Sequence, residues 1–495
     1  MSPKLLRKLF HNPRTAWRSA VMSAVLAAWA ALPLAADPNE PLPELGDSAE
    51  RLLSPTQEKR IGDQFRRQLF SDPTYIGDLE VNTYMGRLGS QIARNASLRG
   101  MPISVHLVRN PVLNAFAVPG GHITFHTGLI LAADDENELA AVMAHEIAHV
   151  SQRHLPRMVA KMEAGRLPAA AAILASIVVG GQTGLAGLTV ANAALLSHQL
   201  SFTRSFEREA DAIGIKLLTD SGFDPTAMAR FFGKLQGPSG LSDEGPEYLR
   251  THPLSYTRIA EAENRSSTHS PGDYPGSRAF FLIRAKIRAL YTASNPREAI
   301  KHFTDQVANT SGDQKDAAVY GLALALWKHR QFDQARATLK PLLDSHPGEV
   351  AFQLAQAEID RTSGRPAPAA ARYERLVAAQ PQLAYLTHYQ AEALIDNGEA
   401  ADAKRIVRRQ LRRHKEMYTL YRLLAKSNAK LGMMPESHQA EAEYYAALGE
   451  YPEAISALKL ALQASDSKEG YLYNSVSARL SELEKIVHKQ LLQQQ

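Results

Sequence analysis

The sequence predicts two folded parts: an α+β domain built on a small antiparallel sheet, followed by an all-α array of repeated helix pairs. Three observations lead there. Between Ile103 and His126, short runs alternate apolar and polar residues around a Pro-Gly-Gly turn, which is strand patterning. On both sides of that region, apolar residues recur at the three-to-four spacing of helices. Beyond about residue 279 the pattern is helical almost throughout and repeats with a period of 34 residues.

Length and composition set the outer limits. A chain of 495 residues is too long for one hydrophobic core, so two or three domains are expected. The absence of cysteine removes disulfides, thiolate ligands and a thiol nucleophile together, so a metal site has only nitrogen and oxygen ligands. The net charge of +5 is carried by Lys4, Arg7, Lys8, Arg14 and Arg18, with no acidic residue in the first 36. The remainder is neutral and offers no global electrostatic case for binding nucleic acid.

That basic start, the apolar run Ala20 to Leu32 and Pro33-Leu34-Ala35-Ala36 read as a secretory signal over residues 1–36, cleaved near Ala36; an uncleaved anchor is the alternative. With no lipobox cysteine, the expected location is the periplasm. Residues 37–53, rich in proline and acids, are expected to be a linker. Ser54 can cap a helix that Pro55 opens, with Ile61, Phe65 and Leu69 on one face. A second helix carries Leu79, Val81, Tyr84, Met85, Leu88 and Ile92.

The strands are Ile103–Val108, Ala115–Val118 and Ile123–His126, the last two joined through Pro119-Gly120-Gly121. A strand here can receive an extended substrate on the sheet edge, or be only a packed hairpin. Immediately afterwards comes the chemistry-bearing stretch. His145-Glu146-Ile147-Ala148-His149 lies among good helix formers behind an acidic first turn, so the two imidazoles fall on one helical face and can grip one zinc ion. Glu146 then sits where a general base would deprotonate a metal-bound water.

From Leu167 to Leu196 the chain has no Asp, Glu, Lys or Arg but contains several glycines. It suits an apolar flap over the cleft, contact with a membrane or membrane protein, or a span. Then Arg204 to Leu218 reads as a helix. Its Glu207 is the choice for the third metal ligand, and Asp211, four residues on, can orient a ligand imidazole. Glu209 points elsewhere and is expected to be a solvated charge.

Asn114-Ala-Phe-Ala-Val-Pro-Gly-Gly121, His145-Glu-Ile-Ala-His149, Glu207-x-x-Ala-Asp211 and Thr251-His252-Pro253-Leu254 with Arg258 resemble, in this order, the gluzincin peptidases related to HtpX and the prenyl-protein endopeptidases. The resemblance implies zinc held by His145, His149 and Glu207, with Glu146 as catalyst and Asp211 behind the ligands. It also implies that His252 can approach the zinc as a fourth, gating ligand; on spacing alone a lone histidine before proline is structural. Together with the export signal and the repeats, it resembles periplasmic members that act on outer-membrane β-barrel proteins or their assembly machinery and double as chaperones. A metzincin pattern fails, because Gln152 and Leu155 stand where Gly and His are required. His154 is expected at the surface or behind a ligand, and His122, His126 and His198 are expected to be structural.

The zinc domain is expected over 54–265, a Pro-Gly-rich linker over 266–278, and the array over 279–495. Ala335, Leu339, Leu342 and Pro347 recur as Ala369, Tyr373, Leu376 and Pro381, the tetratricopeptide signature. Ala299 with Phe303, Ala403 with Val407, and Ala454 with Leu458 and Ala461 suggest further units, the last displaced by half a repeat. Such arrays present a concave docking groove, or else only pack on the catalytic part. Lys404, Arg405, Arg408, Arg409, Arg412 and Arg413 form a basic stripe: a solvated face, or a contact for an acidic partner or lipid headgroups. The expected function is a periplasmic zinc endopeptidase; the alternative is a repeat-based chaperone or scaffold whose metal site is largely latent.

Overall fold

The structure, a computed structural model, describes residues 53–158, 204–236, 247–267, 274, 276–292, 295–465 and 470–492. The expected signal, most of the linker after it, the apolar stretch 167–196 and His198 lie outside the described residues. The described residues belong to one compact unit.

Helix α1 (Pro55–Ser71) begins at a capping box: the Ser54 hydroxyl accepts from the Gln57 amide, and the Gln57 side chain accepts from the Ser54 amide. Asp78 caps α2 (Leu79–Ala93) by accepting from Glu80 and Val81. Strands β1 (Ser104–Val108), β2 (Ala115–Val118) and β3 (His122–His126) follow. β2 and β3 are the antiparallel hairpin that the Pro-Gly-Gly turn predicts. β1 pairs with the other side of β3 in parallel, giving the order β1-β3-β2, so the sheet is mixed rather than wholly antiparallel. The chain between β1 and β2 carries β2 past β3, a crossing that alternation within each strand does not encode. Gly121, at φ +81°, is required in the turn because a Cβ there would lie 2.1 Å from the Pro102 carbonyl oxygen.

β3, buried along its whole length, leads through α3 (Thr127–Ala132) into α4 (Glu136–Ser151), which Asp135 caps through the Glu138 amide. From Asn137 to His149 every residue of α4 is buried, so this helix is the centre of the core rather than a surface helix. Around it lie α5 (Arg204–Asp220), α6 (Ala227–Gln236), the short α7 (Glu247–Thr251) and α8 (Tyr256–Ser267).

The repeat array runs through α9 (Arg278–Ile287, continued by a π-helical turn to Thr292), α10 (Pro296–Asn309), α11 (Gly312–Lys328), α12 (Phe332–Ser345), α13 (Val350–Thr362), α14 (Pro366–Ala379), α15 (Leu386–Asp396), α16 (Ala400–Leu411), α17 (Tyr418–Lys430), α18 (Met434–Leu448), α19 (Tyr451–Gln463) and α20 (Tyr471–Leu492). Ala335, Ala369 and Ala403 are buried at the helix-pair seams, as the 34-residue period requires, and Ala299, 36 residues before the first of them, is buried too. The next position, 34 residues on, holds Ser437, buried in α18 with its hydroxyl donating to the Ala425 carbonyl. The irregular step to Ala454 is therefore one whole repeat with serine in place of alanine, plus half a repeat. The turns inside successive pairs place Gly364, Gly398 and Gly432 at φ between +73° and +86°, while Arg330 occupies the equivalent place in an earlier pair at φ +62°.

The expected boundary at 266–278 separates α8 from α9, yet one continuous buried cluster extends from Ile76 to Ile359. Buried Lys286 of α9 reaches Asp78 and Glu80 at the start of α2. Near the far end of the array, Tyr418 stacks on Phe70 of α1 at 5.2 Å, and Ser71 donates to Glu450. The array thus packs on the catalytic part at both ends.

Candidate metal centre

Four buried side chains from three separate segments converge: His145 and His149 of α4, Glu207 of α5, and His252 after α7. One ligand atom from each lies within 4.8 Å of all the others. His145 Nε2 is 2.9 Å from His149 Nε2, 3.3 Å from His252 Nδ1 and 3.5 Å from Glu207 Oε2. Glu207 Oε1 is 3.5 Å from His149 Nε2 and 3.2 Å from His252 Nδ1. These separations bracket the ~3.3 Å edge of a tetrahedron whose centre holds an ion bonded at ~2.0–2.1 Å, and the imidazole and carboxylate donors suit a divalent cation. The residues present fit a metal ion.

The local sequence explains the convergence. Glu207, Asp211 and Gly214 occupy one face of α5 at helical spacing. Gly214 lets that face approach α4 so closely that a Cβ would lie 3.4 Å from the His145 amide nitrogen and 2.8 Å from the Met228 methyl. Glu207 and Asp211, about two turns and one turn before it, are thereby aimed at His145. Asp211 Oδ1 lies 3.0 Å from His145 Nδ1, the nitrogen that faces away from the cluster. Arg258 of α8 grips Asp211 with two hydrogen bonds of 2.7 Å, and its Nη1 lies 2.9 Å from Glu207. The same guanidinium donates to the Pro253 carbonyl. His252 is fixed at the end of α7, its amide donating to Tyr248.

Burial and charge oppose each other at every acid here. Burial would raise the Glu207 and Asp211 carboxyls, but His252 and His145 hold Glu207 well below its ordinary value, and Arg258 with His145 lowers Asp211. Burial disfavours a charged His145, yet Asp211 and Glu207 outweigh it and raise its pKa to about 9. Glu146 is pushed up by burial, with His252 and His145 pulling the other way. Fully buried, it lies 3.5 Å from His252 Nε2, and the backbone of Ala117 in β2 also favours its charged form.

Residues 80–266 match peptidase family M48, and residues 320–384 match the tetratricopeptide repeat. The β-barrel assembly-enhancing protease of Escherichia coli (strain K12) is 34% identical over 473 residues, covering 94% of this chain and 96% of that protein. The chain belongs to peptidase family M48. It is a metallopeptidase followed by a repeat array. The β-barrel assembly-enhancing protease of Yersinia pestis is 33% identical over 84% of this chain and 86% of its own length. The mitochondrial metalloendopeptidase OMA1 of Schizosaccharomyces pombe is 30% identical over 42% of this chain and 60% of its own.

Several side chains of the peptidase differ from their expected surroundings or had no role assigned. Glu209 is not simply solvated: it bonds Arg157 and lies 3.3 Å from His154. His154 is fully buried, 2.8 Å from His149 Nδ1, so Glu209 and His154 together brace the second ligand imidazole. Tyr248 stacks on His252 at 4.7 Å, and its buried hydroxyl has no hydrogen-bond partner among the described residues. Arg258 belongs to the sequence pattern, but its position between Glu207 and Asp211 depends on how α8 packs against α5. His122 pairs with His106 beneath α1 at 2.9 Å, and His126 is buried at the end of β3. β2 is an edge strand packed beside α4, and a cavity of about 30 Å³ between its end and α4 is lined by Ala117, Val118, Pro119 and His149. Among the described residues, no helix is long and apolar enough to cross a membrane.

Proposed function

We propose that this metallopeptidase is a zinc endopeptidase of the periplasm that cleaves misassembled outer-membrane β-barrel proteins or acts on their assembly machinery, with the repeat array docking substrate or partner. The observation that carries the reading is the buried three-segment cluster with Glu146 beside it; the name and 94% coverage of the relative from Escherichia coli support the substrate class. In this reading His145, His149 and Glu207 hold the metal, and His252 is a fourth donor that can occupy the place of the water. Zinc held by these residues would supply Lewis-acid activation of the substrate carbonyl and of a water, whose pKa would fall toward ~7. Glu146, buried beside the cluster, would take a proton from the attacking water and pass it to the leaving amine. Asp211, Glu209 and His154 fix ligand rings. The backbone of β2 receives the substrate as an added strand.

Glu146→Gln keeps the ligands and removes the base. Cleavage of an unfolded β-barrel protein is expected to fall by at least a hundredfold with metal content unchanged; undiminished cleavage overturns the assignment. A second reading, a docking protein whose peptidase is largely latent, is favoured by His252 Nδ1 lying 3.3 Å from His145 and 3.2 Å from Glu207. His252→Ala separates the two: increased cleavage assigns His252 as a gate, and lost cleavage assigns it to the reaction itself.

A further inference from the structure

A cavity of about 320 Å³ lies where the array meets the start of α2, and it shares no residue with the metal cluster. Its walls come from α2 and the turn before it, from α9 and its π-helical continuation, and from α11, α13 and α15. Three acids line it, Asp78, Glu80 and Glu358, against one cation, Lys286. Tyr291, Tyr320, Trp327 and Tyr389 give it aromatic walls.

The charges inside it do not cancel. Glu358 is matched by Arg361, whose Nε and Nη2 donate to it at 3.0 and 2.9 Å. Lys286 is shared between Asp78 and Glu80. Asp78 has further donors in the Glu80 and Val81 amides and the Tyr291 hydroxyl. The Glu80 carboxylate has only the Lys286 bond, 2.6 Å to Oε2, and its Oε1 accepts nothing among the described residues. Burial raises its pKa, Lys286 lowers it, and Asp78 and Glu349 raise it again, as for a carboxylate short of positive charge. Tyr320, 1% exposed, is an independent mark. Its hydroxyl has no hydrogen-bond partner among the described residues, and Glu80 is the charged group that acts on it most strongly. A buried hydroxyl left unpaired is costly where phenylalanine would fill the same space.

We propose that this cavity binds a small primary alkylammonium ion, its N–H groups donating to Glu80 Oε1 and the Tyr320 hydroxyl and its alkyl part lying among Trp327, Leu290 and Leu354. The leftover charge is negative, so the ligand is a cation. Two unpaired oxygens call for N–H donors, which a primary ammonium has and a quaternary one lacks. A metal ion is disfavoured because the Lys286 ammonium already fills the place between Asp78 and Glu80. Aromatic walls favour an organic cation, which gains from ring faces as well as from the carboxylate. The volume lies at the low end of small-molecule sites, and the Asp78 and Glu80 side chains are only 6% and 9% exposed, which suits a free small molecule rather than a folded surface. Glu80 belongs to α2 and Tyr320 to α11, so an ammonium bonded to both ties the catalytic part to the array. The site does not depend on the proposed substrate.

Trp327 lines the cavity and supplies the readout, because the chain has only Trp17, Trp29 and Trp327. The full chain carrying Trp17→Phe and Trp29→Phe is titrated with n-hexylamine, 1-hexanol and sodium hexanoate at constant ionic strength. Hexylamine is expected to change Trp327 emission saturably, with at least tenfold weaker binding of the alcohol and of the carboxylate. Glu80→Gln is expected to weaken hexylamine at least tenfold and Tyr320→Phe at least threefold, each in a variant first shown to unfold cooperatively in urea. Tyr320→Phe keeps the ring in place, so it decides the matter if Glu80→Gln does not fold. No saturable change up to about 10 mM hexylamine, less than a tenfold preference over hexanol, or undiminished affinity in either folded variant overturns the proposal.

Discussion

Lys286→Met tests how the array is fastened to the catalytic part. Lys286, 6% exposed, places its ammonium 2.6 Å from Glu80 and 2.8 Å from Asp78. Burial alone would lower its pKa, but the two carboxylates hold it well above the ordinary lysine value. Their dependence on it is unequal. Asp78 also accepts from the Glu80 and Val81 amides and the Tyr291 hydroxyl, and it is held low despite its burial. Glu80 is raised by burial even with Lys286 beside it, so the loss falls mainly on Glu80. Removing one partner of a buried pair costs about 3–5 kcal/mol, and that is the expected loss at pH 7. Because the folded-state pKa of Glu80 is raised, the penalty of its charge is present at high pH and fades as pH falls through that value. The deficit should therefore shrink on acidification, and Lys286→Met with Glu80→Gln should recover most of it. Urea unfolding followed by Trp327 emission, in the chain lacking the other two tryptophans, measures all three quantities. A single variant within about 1 kcal/mol of the parent at pH 7, or a double variant no better than the single, refutes the reasoning.

Gly121→Ala should destabilise the protein by more than about 1 kcal/mol and slow cleavage, because its Cβ would strike the Pro102 carbonyl at a left-handed φ and displace the turn that ends β2; thermal unfolding and a peptide assay check both. Arg258→Lys loses the two-pronged grip on Asp211 and should weaken metal binding about 10–100-fold, measured by chelator competition. Burial lowers His106 to about 3 and His122 to about 4, with Arg66 also disfavouring their charge and Asp63 of α1 favouring that of His122. Their folded pKa values lie below the unfolded ~6.5, so the stability they contribute is complete above that value and declines as pH falls toward about 4. Hydrogen exchange should show α1 loosening over that window, and His106→Phe should blunt the effect.

The elements that one segment specifies by itself were legible in the sequence. The α4 helix, the β2–β3 hairpin and the 34-residue repeat each follow from spacing and turn chemistry within a continuous stretch. So did the pairing of His145 with His149, because a helix sets that geometry alone. What the sequence left open depends on separate segments meeting. The parallel partner of β3 is one case, since alternation in β1 is the same whichever side it joins. Glu209 is another: its place on α5 reads as solvent-facing until the turn after α4 brings His154 and Arg157 against it. Gly214 was in principle readable as the third member of the Glu207–Asp211 face, where a missing side chain marks close helix contact. The serine that replaces alanine at position 437 hid a repeat for the opposite reason: the period was intact and only the residue type changed.

Arg258 ties together the carboxylates beside the candidate metal ligands. Two buried carboxylates on one helical face, Glu207 and Asp211, would repel each other without a shared cation, and the planar guanidinium touches both while forking two bonds onto Asp211. The same group donates to Pro253, so it also holds the loop that delivers His252. Substitutions at Arg258 and His252 share partners in this network, so their effects on metal affinity are coupled rather than additive. A double-mutant cycle showing simple additivity would separate the carboxylate restraint from the histidine and leave the Pro253 contact without consequence.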